Sequence, residues 1–231
     1  MFDMETGTTS REYDRNGKVV SRRDYKSTGI TPYIEHGLTD DLTLVGRISW
    51  LKQSIDTPGA PSSSAKLTEL EAGLRYHVFT ISGFLVSIQP GLIFHRASTN
   101  NSPHTDKETA LDKEIALMVG RGFSLFGLPT FISLEGNYIF QDHDRPDEVD
   151  GDMTLGFALS DKTFFIVRSL NSTSLGTYPL APSRVTSSRI GFQLVQRIHP
   201  QFSIGGGITQ SIAGQNTTKD TLFGLTLWYH L

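Results

Sequence analysis

Apolar and polar residues alternate along most of the chain, a pattern typical of β-strands that bury one face. The stretch LTLVGRISW (42–50) is one example, with its leucines facing away from Arg47. About eleven such segments follow residue 26, and a weaker one precedes the Asn16-Gly17 turn. The pattern therefore predicts an all-β protein of about twelve antiparallel strands.

The connections between these segments alternate between short and long. Tight turns are expected at GLTDD, FTIS, GLPT, SDK and HPQ. Longer polar links, rich in turn-forming residues, are expected at SIDTPGAPSSS, ASTNNSPHTDKET, DHDRPDE, GTYPLAPS and GQNTTKD. The connections at one end of the sheet are therefore expected to be short, and those at the other end long. No break in composition marks a linker, so residues 1–231 are predicted to form a single domain.

Alternation alone does not say whether the apolar face meets a protein core or lipid, because soluble barrels show the same period. The succession of short and long connections favours an outer-membrane barrel, with short periplasmic turns and longer extracellular loops. Aromatic residues near strand ends on the apolar face fit an interfacial girdle: Trp50, Tyr76, Phe94, Tyr138, Phe140 and Tyr229. We therefore expect a closed antiparallel transmembrane β-barrel in the bacterial outer membrane, surrounded by lipid.

The segment LFGLTLWYHL has apolar residues at alternate positions and an aromatic residue third from its end. This is the form of an outer-membrane assembly signal, and it predicts recognition by the barrel-assembly machinery. The residues assigned to the signal are Phe223, Leu225, Leu227, Tyr229 and Leu231. In a closed barrel this strand would pair with the first one and leave no unsatisfied edge in hydrocarbon.

Composition narrows the function classes. Of the 231 residues, 37% are hydrophobic and 19% charged, and the net charge of -3 argues against nucleic acid as a partner. The chain has no cysteine, which excludes disulfides, thiolate metal sites and cysteine nucleophiles. No apolar run approaches the length of a membrane-spanning helix. The first residues lack the basic and apolar regions of a secretory signal, which fits a cytosolic protein or a processed chain.

Two segments, PYIEHGLTDDLTLVGRISW and AGQNTTKDTLFGLTLWYHL, resemble Gram-negative outer-membrane transporters of the MetA-pathway phenol-degradation family. The resemblance covers residues 26–53 and 185–231 best, and the middle of the chain in pattern only. It implies an outer-membrane barrel that takes up small, frequently aromatic compounds.

Charged residues of both signs lie on the face opposite the apolar one. We predict that they line the lumen: Glu35, Arg47, Glu69, Glu71, Arg75, Glu114, Glu135, Arg189 and Arg197. Such residues act either as a selectivity-setting pore lining or as a salt-bridge ladder that fills the barrel and conducts nothing. Twelve strands lie between the roughly eight that leave room only for side chains and the roughly sixteen that leave an aqueous channel.

Three other chemistries have candidate residues. His77, His95 and Ser87 are of the types that a hydrolase uses, but no spacing singles out a nucleophile and no Gly-x-Ser-x-Gly elbow occurs. The acidic stretch 141–152 lacks the spacing of an EF-hand loop, and we interpret it as a solvated extracellular loop. The basic stretch SRRDYK (21–26) at the outer rim offers contacts to lipopolysaccharide phosphates, with a solvated face as the alternative.

The sequence thus predicts a passive channel or transporter for small solutes, aromatic or hydrophobic ones among them. No enzymatic activity, metal or cofactor is expected. The alternatives are a non-conducting barrel with a structural, adhesion or partner-binding role, and an outer-membrane hydrolase.

Overall fold

The computed structural model describes residues 1–56, 62–96, 109–142, 145–176 and 184–229. No helix among them is long and apolar enough to cross a membrane. In chain order the strands are β1 (Phe2–Tyr13), β2 (Val19–Gly37), β3 (Leu42–Asp56), β4 (Ser62–Ile81), β5 (Phe84–Arg96), β6 (Thr109–Leu125), β7 (Leu128–Phe140), β8 (Glu148–Ser160), β9 (Thr163–Ser174), β10 (Thr186–His199), β11 (Phe202–Gln215), β12 (Thr217–Thr218) and β13 (Thr221–Tyr229). Twelve of these strands are long, and β12 has two residues.

The strands form one antiparallel sheet that closes on itself. The first strand, β1, pairs with β2 on one side and with β13 on the other. Its register with β13 runs from Phe2 opposite Leu227 to Thr8 opposite Thr221. Closure pairs the backbone groups that a sheet edge would leave open, as a structure within hydrocarbon requires. The predicted closed barrel of twelve principal strands is confirmed.

Short and long connections lie at opposite ends of the barrel, as the sequence predicted. The five short turns occupy 38–41, 82–83, 126–127, 161–162 and 200–201. The last residue of β13, Tyr229, lies at this end, opposite Phe202 at the start of β11. We call this the periplasmic end and the opposite one the outer end, following the usual orientation of such barrels. Parts of the longer connections lie outside the described residues.

The β1–β2 turn at the outer end is built around Asp14 and Gly17. The Asp14 Oδ1 atom accepts backbone N–H groups from Lys18 and Asn16, each at 2.8 Å. These two hydrogen bonds hold the pKa of the Asp14 carboxyl below its usual range, with Lys18 contributing most. Gly17 adopts a φ of 74°, in the left-handed region that glycine tolerates. The turn predicted at Asn16-Gly17 is therefore confirmed.

Side chains alternate between the outside of the wall and the lumen. On β3, Leu44 points outward and is 44% exposed, whereas its neighbour Val45 points inward and is 1% exposed. The same alternation leaves large apolar side chains exposed on strand after strand, Leu74 and Leu134 among them. A continuous apolar exterior of this kind is unsuited to water, so its natural solvent is lipid.

The aromatic residues assigned to the girdle lie on this apolar exterior. Trp50, Tyr76, Phe94, Phe140 and Tyr229 are exposed there. The sixth, Tyr138, packs its ring 4.5 Å from that of Phe140, centroid to centroid.

Candidate functional site

The lumen contains a cavity of about 490 Å³. Its lining reaches from Tyr33 and Arg75, toward the periplasmic end, to His95 and Glu148, toward the outer end. These side chains belong to β2, β4, β5 and β8, so the cavity is enclosed by several parts of the wall. Because most of the lining is polar or charged, this space suits water and polar solutes.

Arg47 on β3 forms the first charged cluster with two carboxylates of β4. Antiparallel pairing sets Arg47 opposite Glu71, and both side chains point into the lumen. The Arg47 Nη2 atom forms an ion pair with Glu71, whose side chain is buried. The Arg47 Nε atom lies 3.9 Å from Glu69 Oε1. The positive charge of Arg47 is thus compensated from the neighbouring strand.

Arg75 on β4 forms the second cluster and uses all three nitrogens of its guanidinium group. Its Nη1 atom lies 2.6 Å from Glu35 Oε1. Its Nη2 atom donates to the Tyr33 hydroxyl at 3.1 Å, and its Nε atom donates to Gln89 Oε1 at 3.1 Å. The Tyr33 hydroxyl in turn donates to Glu35. Arg75 therefore ties together β2, β4 and β5 across the inner wall.

The wall formed by β6, β7 and β8 carries carboxylates instead. Glu114, Glu135, Asp150 and Asp152 border the cavity, and register places Glu135 opposite Asp152. Within the described part of the chain, none of the four forms an ion pair. Glu114 is 7% exposed, and its buried Oε2 atom has no hydrogen-bond partner among the described residues.

The cavity lining is strongly acidic as a whole. Eight carboxylates contribute to it: Asp3, Glu69, Glu71, Glu114, Glu135, Glu148, Asp150 and Asp152. Three guanidinium groups contribute: Arg47, Arg75 and Arg168. Because low-dielectric walls focus the field of such charges, an excess of carboxylates over guanidinium groups would favour cations over anions in this space.

At the outer end, Asp112 holds the β7–β8 connection against the wall. Its side chain is fully buried, and its carboxylate lies 2.9 Å from His95 Nε2. It also accepts the backbone N–H of Asp142 at 2.8 Å and forms an ion pair with Arg145. Two residues of the connection are thus fastened to one side chain of β6.

The structure brings six of the nine predicted lumen residues to the cavity. These are Arg47, Glu69, Glu71, Arg75, Glu114 and Glu135. Glu35 contacts Arg75 and borders a neighbouring space near the periplasmic end. Arg189 lies 3.3 Å from Asp220 Oδ2 and borders a separate cavity of about 280 Å³. Arg197 is exposed near the periplasmic end of β10. The role of all nine as a pore lining stays a prediction.

One sequence interpretation is wrong in part, that of the acidic stretch 141–152 as an extracellular loop. Strand β8 already begins at Glu148, and its residues Asp150 and Asp152 turn inward to the cavity. The alternate spacing of these three acids was the available signal, since a polar lumen accepts carboxylates at every second position. Sequence reasoning also missed the buried Asp112 beside His95, and the alternation left open the facing of Arg168, which borders the cavity.

The histidines considered for hydrolysis have other partners. The two ring nitrogens of His77 lie 3.2 Å from Asp41 Oδ1 and 3.0 Å from the Thr80 hydroxyl. The ring of His95 lies between Asp112 and Glu69. Among the described residues, no group of three or more acidic or histidine side chains is arranged to hold a metal ion.

The residues assigned to the assembly signal lie on the lipid-facing side of β13 as far as the structure describes them. Phe223, Leu225, Leu227 and Tyr229 are all exposed there, and Leu231 lies outside the described residues. Recognition by the assembly machinery stays a prediction. Contact of stretch 21–26 with lipopolysaccharide also stays a prediction, because the structure does not describe most of the side chains in that stretch.

Several solved structures share this architecture. An outer membrane channel from Pseudomonas putida F1 is 15% identical, with a TM-score of 0.71 over 99% of this chain and 94% of that one. The β domain of a Bordetella autotransporter, Brka, is 12% identical, with a TM-score of 0.57 over 99% and 98%. The NanC porin is 9% identical, with a TM-score of 0.55 over the whole of both chains.

No protein-family model and no curated protein matches the chain, so membership of the phenol-degradation family is not confirmed. At the identities of the solved structures, the likeness shows the fold. The chain is an outer-membrane β-barrel: it has the closed architecture of that class and an apolar exterior suited to the bacterial outer membrane.

Proposed function

We propose that this barrel is a passive channel that lets small solutes cross the outer membrane. The observation that carries the proposal is the cavity of about 490 Å³ within the lumen, lined mainly by charged and polar groups. A barrel whose interior is filled by side chains leaves no such space. Two of the solved structures with this fold are described as a channel and a porin, which supports a channel function for this barrel.

The solute class follows from the lining. Charged groups favour polar solutes, and Ile93, Met118 and Ile139 add apolar surface to the same cavity. Small molecules with both a polar group and an apolar body suit this combination, and they include the aromatic compounds that the sequence resemblance implies.

A non-conducting barrel is the second candidate, and it also has a specific observation in its favour. The clusters around Arg47 and Arg75 link neighbouring strands through hydrogen bonds and ion pairs, as an internal scaffold would. An autotransporter β domain has the same fold, so architecture alone does not select a channel.

Single-channel recording with two adjacent substitutions on β6 tests the proposal. Met118 borders the cavity, whereas Leu117 is 54% exposed on the lipid face. Wild type should give discrete conductance steps in planar bilayers. Met118→Trp should lower the unitary conductance at least about twofold, because the indole occupies lumen space. Leu117→Trp adds the same ring to the outside and should leave the conductance unchanged.

A folded wild type that stays silent in bilayers would overturn the channel and favour the non-conducting barrel. Folding is checked independently by heat-modifiable migration on gels and by strand-dominated circular dichroism. Equal conductance for both tryptophan variants would show that current bypasses the lumen.

A further inference from the structure

The lumen has charges of both signs, and its arginines are compensated within the protein to a greater extent than its carboxylates. The guanidinium groups of Arg47 and Arg75 contact carboxylates. The carboxylates of Glu114, Glu135 and Asp150, on the adjoining strands β6, β7 and β8, form no ion pair with the described residues. The interior is therefore short of positive charge on the side formed by β6, β7 and β8.

Glu114 is the residue at which this shortage is greatest. It is more than nine-tenths buried, it borders the cavity, and its Oε2 atom lacks a hydrogen-bond partner in the described part of the chain. Three carboxylates, those of Glu71, Glu135 and Asp150, lie within electrostatic range of it, against one positive group, Arg47, which is already paired with Glu71. Removing a carboxylate from water without a partner costs free energy, which a cation that donates hydrogen bonds would offset.

Apolar side chains flank the carboxylates in a regular way. Ile139 on β7 is the cross-strand partner of Glu114, and Met118 on β6 is the partner of Glu135. Directly opposed residues of an antiparallel pair lie on the same face, about 4.5–5.5 Å apart. Each of these acids therefore has an apolar neighbour on the cavity wall, and the lining offers charge and apolar surface side by side.

We propose that this wall binds small organic cations, with the ammonium group of the solute at Glu114 and its apolar body against Ile139 and Met118. The inference rests on the proposed channel, because solutes must reach the lumen. It adds the class of solute that the channel selects. A cavity of about 490 Å³ is of the size that accommodates small-molecule ligands.

Other solute classes fit this wall less well. An anion would face eight carboxylates, while two of the three guanidinium groups that could receive it are already engaged. A divalent metal ion would need several oxygen ligands converging on one point, and no such group occurs among the described residues. An organic ammonium needs only one strong acceptor and an apolar surface beside it.

Calorimetric titration of the detergent-solubilised barrel with 2-phenylethylammonium tests the site. The neutral 2-phenylethanol and the anionic 3-phenylpropionate have a similar apolar body and serve as matched probes. Wild type should bind the ammonium compound and neither of the others. Glu114→Gln keeps the shape of the side chain but removes its charge, and it should weaken binding at least about tenfold. Asp161→Asn removes a carboxylate from an exposed turn and should leave binding unchanged.

Ile139→Ser separates the two halves of the site. It should weaken 2-phenylethylammonium but leave ethylammonium, which lacks the ring, unaffected. Heat-modifiable migration confirms that each variant is folded. Absence of binding to wild type, equal binding to folded Glu114→Gln, or equal binding of 3-phenylpropionate would each overturn the inference.

Conductance of the same preparations distinguishes this inference from the proposed function. A wild type that conducts but does not bind 2-phenylethylammonium would defeat the cation site and leave the channel standing. A wild type that binds the compound but never conducts would retain the site and defeat the channel.

Discussion

An aromatic ring on the neighbouring strand explains why residue 156 is glycine. Phe131 on β7 and Gly156 on β8 are direct cross-strand partners. A Cβ atom built on Gly156 would overlap the ring of Phe131. Gly136, by contrast, has open space where a Cβ would lie. Glycine in a strand often marks such a close approach, and an aromatic ring laid over it restores the lost packing.

Gly156→Ala should therefore lower the free energy of unfolding by about 1–3 kcal/mol, the usual cost of overpacking. Phe131→Ala introduced into the same chain should relieve the overlap, so the double variant should lose less than the sum of the two single changes. Urea unfolding in detergent measures each value, with Gly136→Ala as the matched control. If the two glycine variants were equally stable, the packing explanation would fail.

At the residue scale, alternation predicted the facing of some lumen side chains but not which of them meet. Glu114 and Glu135 could be assigned from their positions in the pattern. Asp150 and Asp152 were hidden, because they follow a loop of similar acidic composition. The pairing of Arg47 with Glu71 depends on the register of two strands, which alternation within each strand does not specify.

At the scale of elements, side chains from the barrel wall anchor the β7–β8 connection at the outer end. Asp112 contacts Arg145, the backbone of Asp142, and His95. The Asp147 carboxylate adds hydrogen bonds from the Tyr138 hydroxyl at 2.8 Å and from a backbone N–H at 3.1 Å. This anchor could not be predicted from the sequence, because its members come from three separate segments of the chain.

A double-mutant cycle on Asp112 and Arg145 tests the anchor. Asp112→Asn and Arg145→Gln should each destabilise the barrel, and the coupling energy between them should be about 1–3 kcal/mol, because one partner is fully buried. Urea unfolding of the four proteins gives the coupling energy. As a control, Asp161→Asn combined with Arg145→Gln should show no coupling. A coupling energy near zero for the anchor pair would mean that the connection is held by other contacts.

The number and order of the strands were easier to predict from the sequence than this anchor. Long strands with one apolar face, separated by turn residues, are recognisable from the alternation of apolar and polar residues. Even the weak first strand was predicted, from the Asn16-Gly17 turn that follows it. The two-residue β12, which pairs Thr217 and Thr218 with the end of β1, is too short to have a period. Elements of that length depend on tertiary contacts rather than on their own sequence.

At the scale of the molecule, the barrel distributes its apolar and polar side chains in the opposite way to a soluble protein. Its outward side chains are apolar, and its inward ones carry most of the described ion pairs. Alternation is the same for either polarity, so the period alone could not decide between them. The decisive features belong to the whole chain: the order of short and long turns, the closure of β1 on β13, and the acids gathered in one enclosed space.

A channel of this kind requires that one face of the wall meets lipid and the other meets a water-filled lumen. Single cysteines at Leu134 and Glu135 test it, because these neighbours on β7 point to opposite faces and the chain has no other cysteine. The measurement is labelling by a membrane-impermeant maleimide in proteoliposomes. We expect Glu135→Cys to react and Leu134→Cys to be protected. Protection of Glu135→Cys with reaction of Leu134→Cys would contradict the orientation of the wall, and protection of both would contradict a water-filled lumen.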